Sequence, residues 1–221
     1  MSSFVIKLFA VLFMCCDHIG KAFFPNSYFL YLLGVCSFPL FAFQIVQGYL
    51  HTSDVKKYLK RLSLFALISQ VPFMLFIYKI SGNIYTFNKI FTLSLGGLLI
   101  YIFDKVPNKI YKILSMLAIF AISIIFPIDY GFWGLLLILS FFILRNNKIL
   151  FSISYILLCI SKYLPLFFYY SKPIYLYFLF CTIIPLCFML LYNSKQGPKI
   201  KAFFYMFYPI HLSIIYLLFN F

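Results

Sequence analysis

The chain has 221 residues, of which 65% are hydrophobic and 10% charged, with a mean hydropathy of +1.03. A soluble domain is about 45–50% apolar and about 25% charged, so this composition excludes an ordinary soluble globule and points to an integral membrane protein. The net charge of +14 then reads as lysine and arginine that set membrane topology, rather than as a nucleic-acid surface.

A membrane-spanning helix needs about 20 largely apolar residues. Nine candidates follow one another at roughly 4–24, 28–50, 62–80, 88–104, 111–127, 130–144, 149–165, 174–192 and 203–220. The expected fold is therefore an all-α polytopic membrane protein of about nine transmembrane helices (range 8–10), forming one transmembrane domain over 1–221 with no soluble domain. With the N-terminus in the cytoplasm, 13 of the 18 Lys and Arg fall at inner ends, as the positive-inside rule demands. Several spans carry an internal proline (Pro39, Pro72, Pro185, Pro209) and are expected to kink there, because proline removes a backbone donor. The six cysteines all lie in apolar runs without CxxC or Cys/His spacing, which suits small buried hydrophobes.

The first span holds Asp17-His18-Ile19-Gly20. The chain has four Asp and no Glu, and the other three Asp lie at the ends of apolar runs where water reaches them. Asp17 does not, and a carboxylate at membrane depth costs about 2.5–3.5 kcal/mol or more unless it is paired or faces a wet cavity. The run lacks a small-residue cleavage site and is expected to be a retained helix rather than a signal peptide. Neighbours on a helix point about 100° apart, so Asp17 and His18 are no ready-made dyad. Either both line one cavity, or one faces a cavity and the other a neighbouring helix.

The second span carries a stripe of Ser37, Gln44, Gln47, Gly48 and His51 on one face, ending next to Asp54, Lys56, Lys57, Lys60 and Arg61. Two readings fit: a polar track leading inward from a cytoplasmic phosphate site, or interhelical hydrogen bonds beside topology-setting charges. Gln70 in the third span, and Asn88 and Thr92 at the fourth, can bond either a substrate or another helix. The last span places Tyr208 one turn before His211. Counting about 1.5 Å per residue, His18 lies in the outer half of the membrane and His211 roughly 9 Å below it, so the two could share one cavity at different depths. GxSxG, Walker A, GxGxxG and HExxH motifs are absent and four Asp build no metal cluster, so any catalysis must rest on His, Asp, Tyr, Asn or Gln.

Lys7 through Asp17-His18-Ile19-Gly20, Ser37-Phe38-Pro39-Leu40-Phe41-Ala42-Phe43 with Gln47-Gly48-Tyr49, Lys57-Tyr58 with Arg61-Leu62, Ser69-Gln70-Val71-Pro72-Phe73, Asn88 to Leu93, and Phe204-Tyr205 to Tyr208-Pro209-Ile210-His211-Leu212 together resemble the TraX family, in family order over nearly the whole chain. The resemblance implies a multi-pass protein of the bacterial cytoplasmic (inner) membrane concerned with N-terminal acetylation of pilin, akin to polytopic acyltransferases that use cytoplasmic acetyl-CoA. It implies His18 as the catalytic histidine, with Asp17 beside it and His211 as a further site residue. One departure stands out: the family pattern would place an arginine between Gly34 and Phe38-Pro39, where this chain has Val35 and Cys36.

The expectation is an acyltransferase with acetyl-CoA as donor and no metal. Its acceptor is a peptide N-terminus or a glycan or lipid hydroxyl, and its partners are membrane lipid and that acceptor, without nucleic acid. His18, Asp17 and His211 would be catalytic. Tyr208, Gln44, Gln47, Gln70, Asn88 and Thr92 would bind substrate, and His51, Lys57 and Arg61 would hold the donor's phosphates. The alternatives are a proton-coupled transporter and a noncatalytic assembly factor for a pilus or surface polymer.

Overall fold

The computed structural model describes residues 1–82, 84–198 and 200–219 and, among them, is all-helical without a strand. The helices are α1 (Ser3–Phe23), α2 (Tyr28–Val35), α3 (Ser37–His51), α4 (Val55–Ile68), α5 (Gln70–Ser81), α6 (Lys89–Lys105), α7 (Lys109–Ile125), α8 (Gly131–Ile143), α9 (Lys148–Tyr170), α10 (Ile174–Cys181), α11 (Ile183–Leu190) and α12 (Lys201–Leu218). The pairs α2/α3, α4/α5 and α10/α11 are each parted by a single residue, Cys36, Ser69 or Thr182. Each of these stands three positions ahead of a proline, Pro39, Pro72 or Pro185. By contrast, Pro209 lies inside the unbroken α12, and Pro165 inside α9.

Counted as continuous stretches, the described helices number nine, and each overlaps one of the nine expected segments. Four are long and apolar enough to cross a membrane: Ser3–Phe23, Tyr28–His51, Val55–Ser81 and Lys148–Tyr170. The third begins earlier than expected, so Lys56, Lys57, Lys60 and Arg61 sit on the first turns of α4 rather than in a loop. Of the inner-end basic residues counted in the sequence, Lys199 and the side chain of Lys201 lie outside the described part.

Local chemistry fixes the starts and stops. Ser2, Asp54, Asn88, Asn108 and Asn147 cap α1, α4, α6, α7 and α9 by accepting bonds from first-turn amides, which orphan helical N–H groups require. Gly82 ends α5 in the left-handed conformation.

The fold is organised around α3, which packs against α1, α6, α8 and α11. Phe38, Leu40, Ala42 and Val46 are at most 1% exposed there. On the outside the order inverts: Ile110, Ile113, Leu114, Leu117, Ile124 and Ile125 of α7 and Ile149, Ile153 and Leu157 of α9 are exposed. Outward apolar faces of that extent belong in lipid, and together with the composition they describe a membrane protein.

Loop contacts sort the bundle's ends. Ser3 and Phe4 amides donate to the carbonyls of Lys195 and Gln196, and the terminal ammonium to that of Leu191. At the other end Phe87 N–H donates to Pro127 O and Asp129 N–H to Phe87 O. The segments these bonds join are those that the charge count assigned to a common side.

Candidate functional site

Asp17 is 6% exposed and is fully compensated. Its Oδ2 lies 2.8 Å from Nζ of Lys21, one turn on, and 3.1 Å from Nζ of Lys89 at the start of α6. Lys89 also reaches Asp129 at 3.9 Å. A buried ion pair with two cations removes the penalty that made Asp17 conspicuous. Gly34 lets α2 close over this carboxylate, since a Cβ there would stand 2.7 Å from Asp17 Cβ.

His18 is 2% exposed and its Nδ1 lies 2.7 Å from Nε2 of His211. The expected 9 Å separation in depth is thus closed to direct contact. Rise per residue counts backbone only, and two imidazoles reaching across the α1/α12 seam make up the difference. His211 Nδ1 lies 2.9 Å from the Phe207 carbonyl, which can only accept. With both rings neutral, His211 therefore donates from Nδ1 and accepts at Nε2, His18 donates from Nδ1, and His18 Nε2 carries a free lone pair. That Nε2 faces Asp17 Oδ2 at 3.9 Å, too long for a hydrogen bond, as expected of side chains pointing apart.

Two cavities flank this pair. The inner one, about 250 Å³, is entered past Lys7, His51, Thr52, Arg61 and Gln196 and runs inward past Ser37, Gln44 and Gly48 to Tyr208 and Lys89. Four of the five residues in the α3 stripe line it; Gln47 is buried away from it. Three of its lining side chains are polar, buried and, among the described residues, without a hydrogen-bond partner at one atom: Ser37 Oγ, Gln44 Nε2 and Tyr208 Oη. Gln44 Oε1 accepts from Ser3 Oγ at 2.6 Å, which turns the amide nitrogen away from that bond. The outer cavity, about 310 Å³, is lined by Asp17, Lys21, Lys89, Asp129, Tyr130 and Lys162 among others. Lys89 lines both. His18 lines neither: it sits behind Asp17 on the outer side, and its ring packs 6.0 Å from that of Tyr208 on the inner.

The remaining candidates divide. Gln70 and Asn88 are consumed by the protein itself. Gln70 Oε1 accepts from both N–H groups of Asn88, Gln70 Nε2 donates to Thr86 O, and Asn88 Nδ2 donates to Ala66 O. Their work is to fix the start of α6, and so Lys89. Thr92 Oγ1 donates to the Asp129 carbonyl and holds the α7–α8 turn. Arg61 and His51 stand at the inner mouth, with Tyr205 on the same cavity wall. Lys57 is exposed and lines neither cavity, and its backbone N–H donates to Asp54 Oδ1 in the cap of α4.

Sequence reasoning missed Lys21, Lys89 and Lys162, which the charge count had absorbed as outer-end topology residues. One signal was available for Lys21, four residues after a membrane-depth Asp on one helix face. None was available for Lys89 or Lys162, which tertiary packing brings in. Val35, where the family pattern would have arginine, lines the outer cavity. The positive charge at Asp17 comes here from Lys21 and Lys89.

The family model described as "TraX protein" matches residues 2–219. The probable fimbrial assembly protein FimC, serogroup H1, of Dichelobacter nodosus is 27% identical over 235 aligned positions, covering 97% of this chain and 94% of that relative. No solved structure matches. The sequence match, spanning essentially every helix described above, places the chain in the TraX family.

Proposed function

We propose that the protein is a pilus-related acyltransferase of the bacterial cytoplasmic membrane, crossing it nine times with its N-terminus inside and several spans kinked at prolines. It takes acetyl from cytoplasmic acetyl-CoA through the inner cavity and passes it to an acceptor in the outer one. The observation that carries this reading is the inner cavity. Cations stand at its mouth (Lys7, Arg61), where a polyphosphate would sit. Unpartnered Ser37, Gln44 and Tyr208 atoms lie along its depth, where a ligand bearing amides would satisfy them.

The chemistry follows from the tautomers. An amine or hydroxyl of the acceptor attacks the thioester carbonyl as its proton moves to His18 Nε2; the C–S bond breaks, the new C–N or C–O bond remains, and the proton passes to the departing thiolate as CoA thiol. The imidazolium formed in between faces Asp17 and donates through Nδ1 to His211, which favours it. Lys89 is the fixed cation nearest the divide between the cavities and is suited to the developing oxyanion. His18 is reached when the Tyr208 ring moves aside, and no hydrogen bond tethers that hydroxyl.

A second reading, a noncatalytic pilus assembly factor, is favoured by the name of the Dichelobacter relative and by the absence of His18 from both cavity walls. Titration calorimetry of the purified protein with acetyl-CoA separates the two. The transferase reading predicts saturable binding that weakens in Arg61→Ala; no heat from the wild type favours the assembly factor.

A further inference from the structure

One lysine of the outer cavity has no carboxylate at ion-pair distance among the described residues. Of its three lysines, Lys21 and Lys89 share Asp17, and Lys89 also reaches Asp129. Among the described residues no carboxylate lies within 4.0 Å of Lys162. Its ammonium instead stands over aromatic faces, 3.6 Å from the Tyr130 centroid, 4.2 Å from Trp133 and 5.5 Å from Tyr163. These rings are fixed. Tyr130 stacks on Phe38 at 3.8 Å and 7° and caps α8 with φ of 65°, a left-handed backbone that costs a non-glycine residue about 1–2 kcal/mol. The Trp133 indole N–H donates to Leu158 O on α9 at 2.6 Å, one turn before Lys162.

We propose that this aromatic cradle presents Lys162 to an anion, and that the outer cavity binds a carboxylate or phosphate group of the molecule that enters it. Three lysines against two carboxylates leave the cavity with one basic group in excess. A flexible lysine serving only as an interfacial anchor would snorkel to water; this one is held beside the cavity, its ammonium against the rings on one side and open to an anion on the cavity side. That the anion belongs to the acyl acceptor rests on the proposed transfer; that the site takes an anion does not.

Trp133 is the sole tryptophan of the chain and is therefore a local reporter. The purified protein in nonionic detergent is titrated with inorganic phosphate, with acetate and with short-chain phosphatidylglycerol, at constant ionic strength held with chloride, while Trp133 emission is followed. A saturable change is expected for the wild type, retained in Lys162→Arg. In Lys162→Met the apparent affinity falls by about tenfold or more, the loss of one charge-assisted contact. Saturation by phosphate or acetate assigns the site to a soluble anionic group, and saturation by phosphatidylglycerol alone assigns it to a lipid headgroup. No saturable change in the wild type, or an unaltered response in Lys162→Met, overturns the proposal. Acetyl-transfer activity plays no part in the readout, so an inactive preparation can still pass and an active one still fail.

Discussion

His18 and His211, 193 positions apart in sequence, share one hydrogen bond of 2.7 Å inside the bundle, and the Phe207 carbonyl sets its direction. That carbonyl obliges His211 to accept from His18, which leaves His18 Nε2 as the basic atom of the pair.

His211→Ala removes the acceptor of His18 Nδ1–H and frees the ring to take the other tautomer. Acetyl transfer is expected to fall by about 10²-fold or more, mainly in kcat with KM for acetyl-CoA little changed. His211→Gln, which can accept a bond at similar reach, is expected to recover part of it. Steady-state kinetics of the three proteins check this.

Asp17→Ala leaves buried Lys89 with only the longer, 3.9 Å contact to Asp129. Breaking such a pair costs about 3–5 kcal/mol, so a large drop in thermal stability in detergent is expected. Asp17→Ala combined with Lys89→Met, which removes both charges, is expected to unfold later than Asp17→Ala alone. Equal melting of the two would show that Lys89 finds another partner.

Gln70→Ala and Asn88→Ala each sever bonds of one network. Each is expected to cost about 1–3 kcal/mol for the groups left unpaired, and the double variant less than the sum. Thermal unfolding of the singles and the double measures the coupling.

At the inner mouth, Arg61→Ala is expected to raise KM for acetyl-CoA about tenfold, the worth of one charge-assisted phosphate contact, without lowering kcat. Lys57→Ala is expected to change neither, since Lys57 is exposed and away from the cavity. The same kinetic assay separates the two residues that sequence alone placed together.

That pair shows where sequence reading stops. Helix positions follow from runs of apolar residues, because lipid requires length and hydropathy of each span separately. The α3 stripe was legible for the same reason: Ser37, Gln44, Gly48 and His51 share a face by local geometry, and they do line one cavity. Lys57 and Arg61 stand one turn apart on one face of α4, and only the packing of the other helices, which closes the cavity around Arg61 and leaves Lys57 exposed, separates them. Gln70 and Asn88 stood out as polar groups in apolar surroundings, but that signal is the same for a substrate ligand and a structural bracket. Lys89 looked like a topology charge because its carboxylate partner lies 72 residues away on another helix. The contact of His18 with His211 was underread because depth was counted along backbones, while the bond is made by side chains.

The central claim is that His18 Nε2 takes the acceptor's proton during acetyl transfer. Its most direct test supplies labelled acetyl-CoA and a pilin-like N-terminal peptide to the purified wild type and to His18→Ala, with acetyl-CoA binding measured on both. The account predicts equal binding, with label passing to the peptide in the wild type and falling to background in His18→Ala. Undiminished labelling in His18→Ala would contradict it.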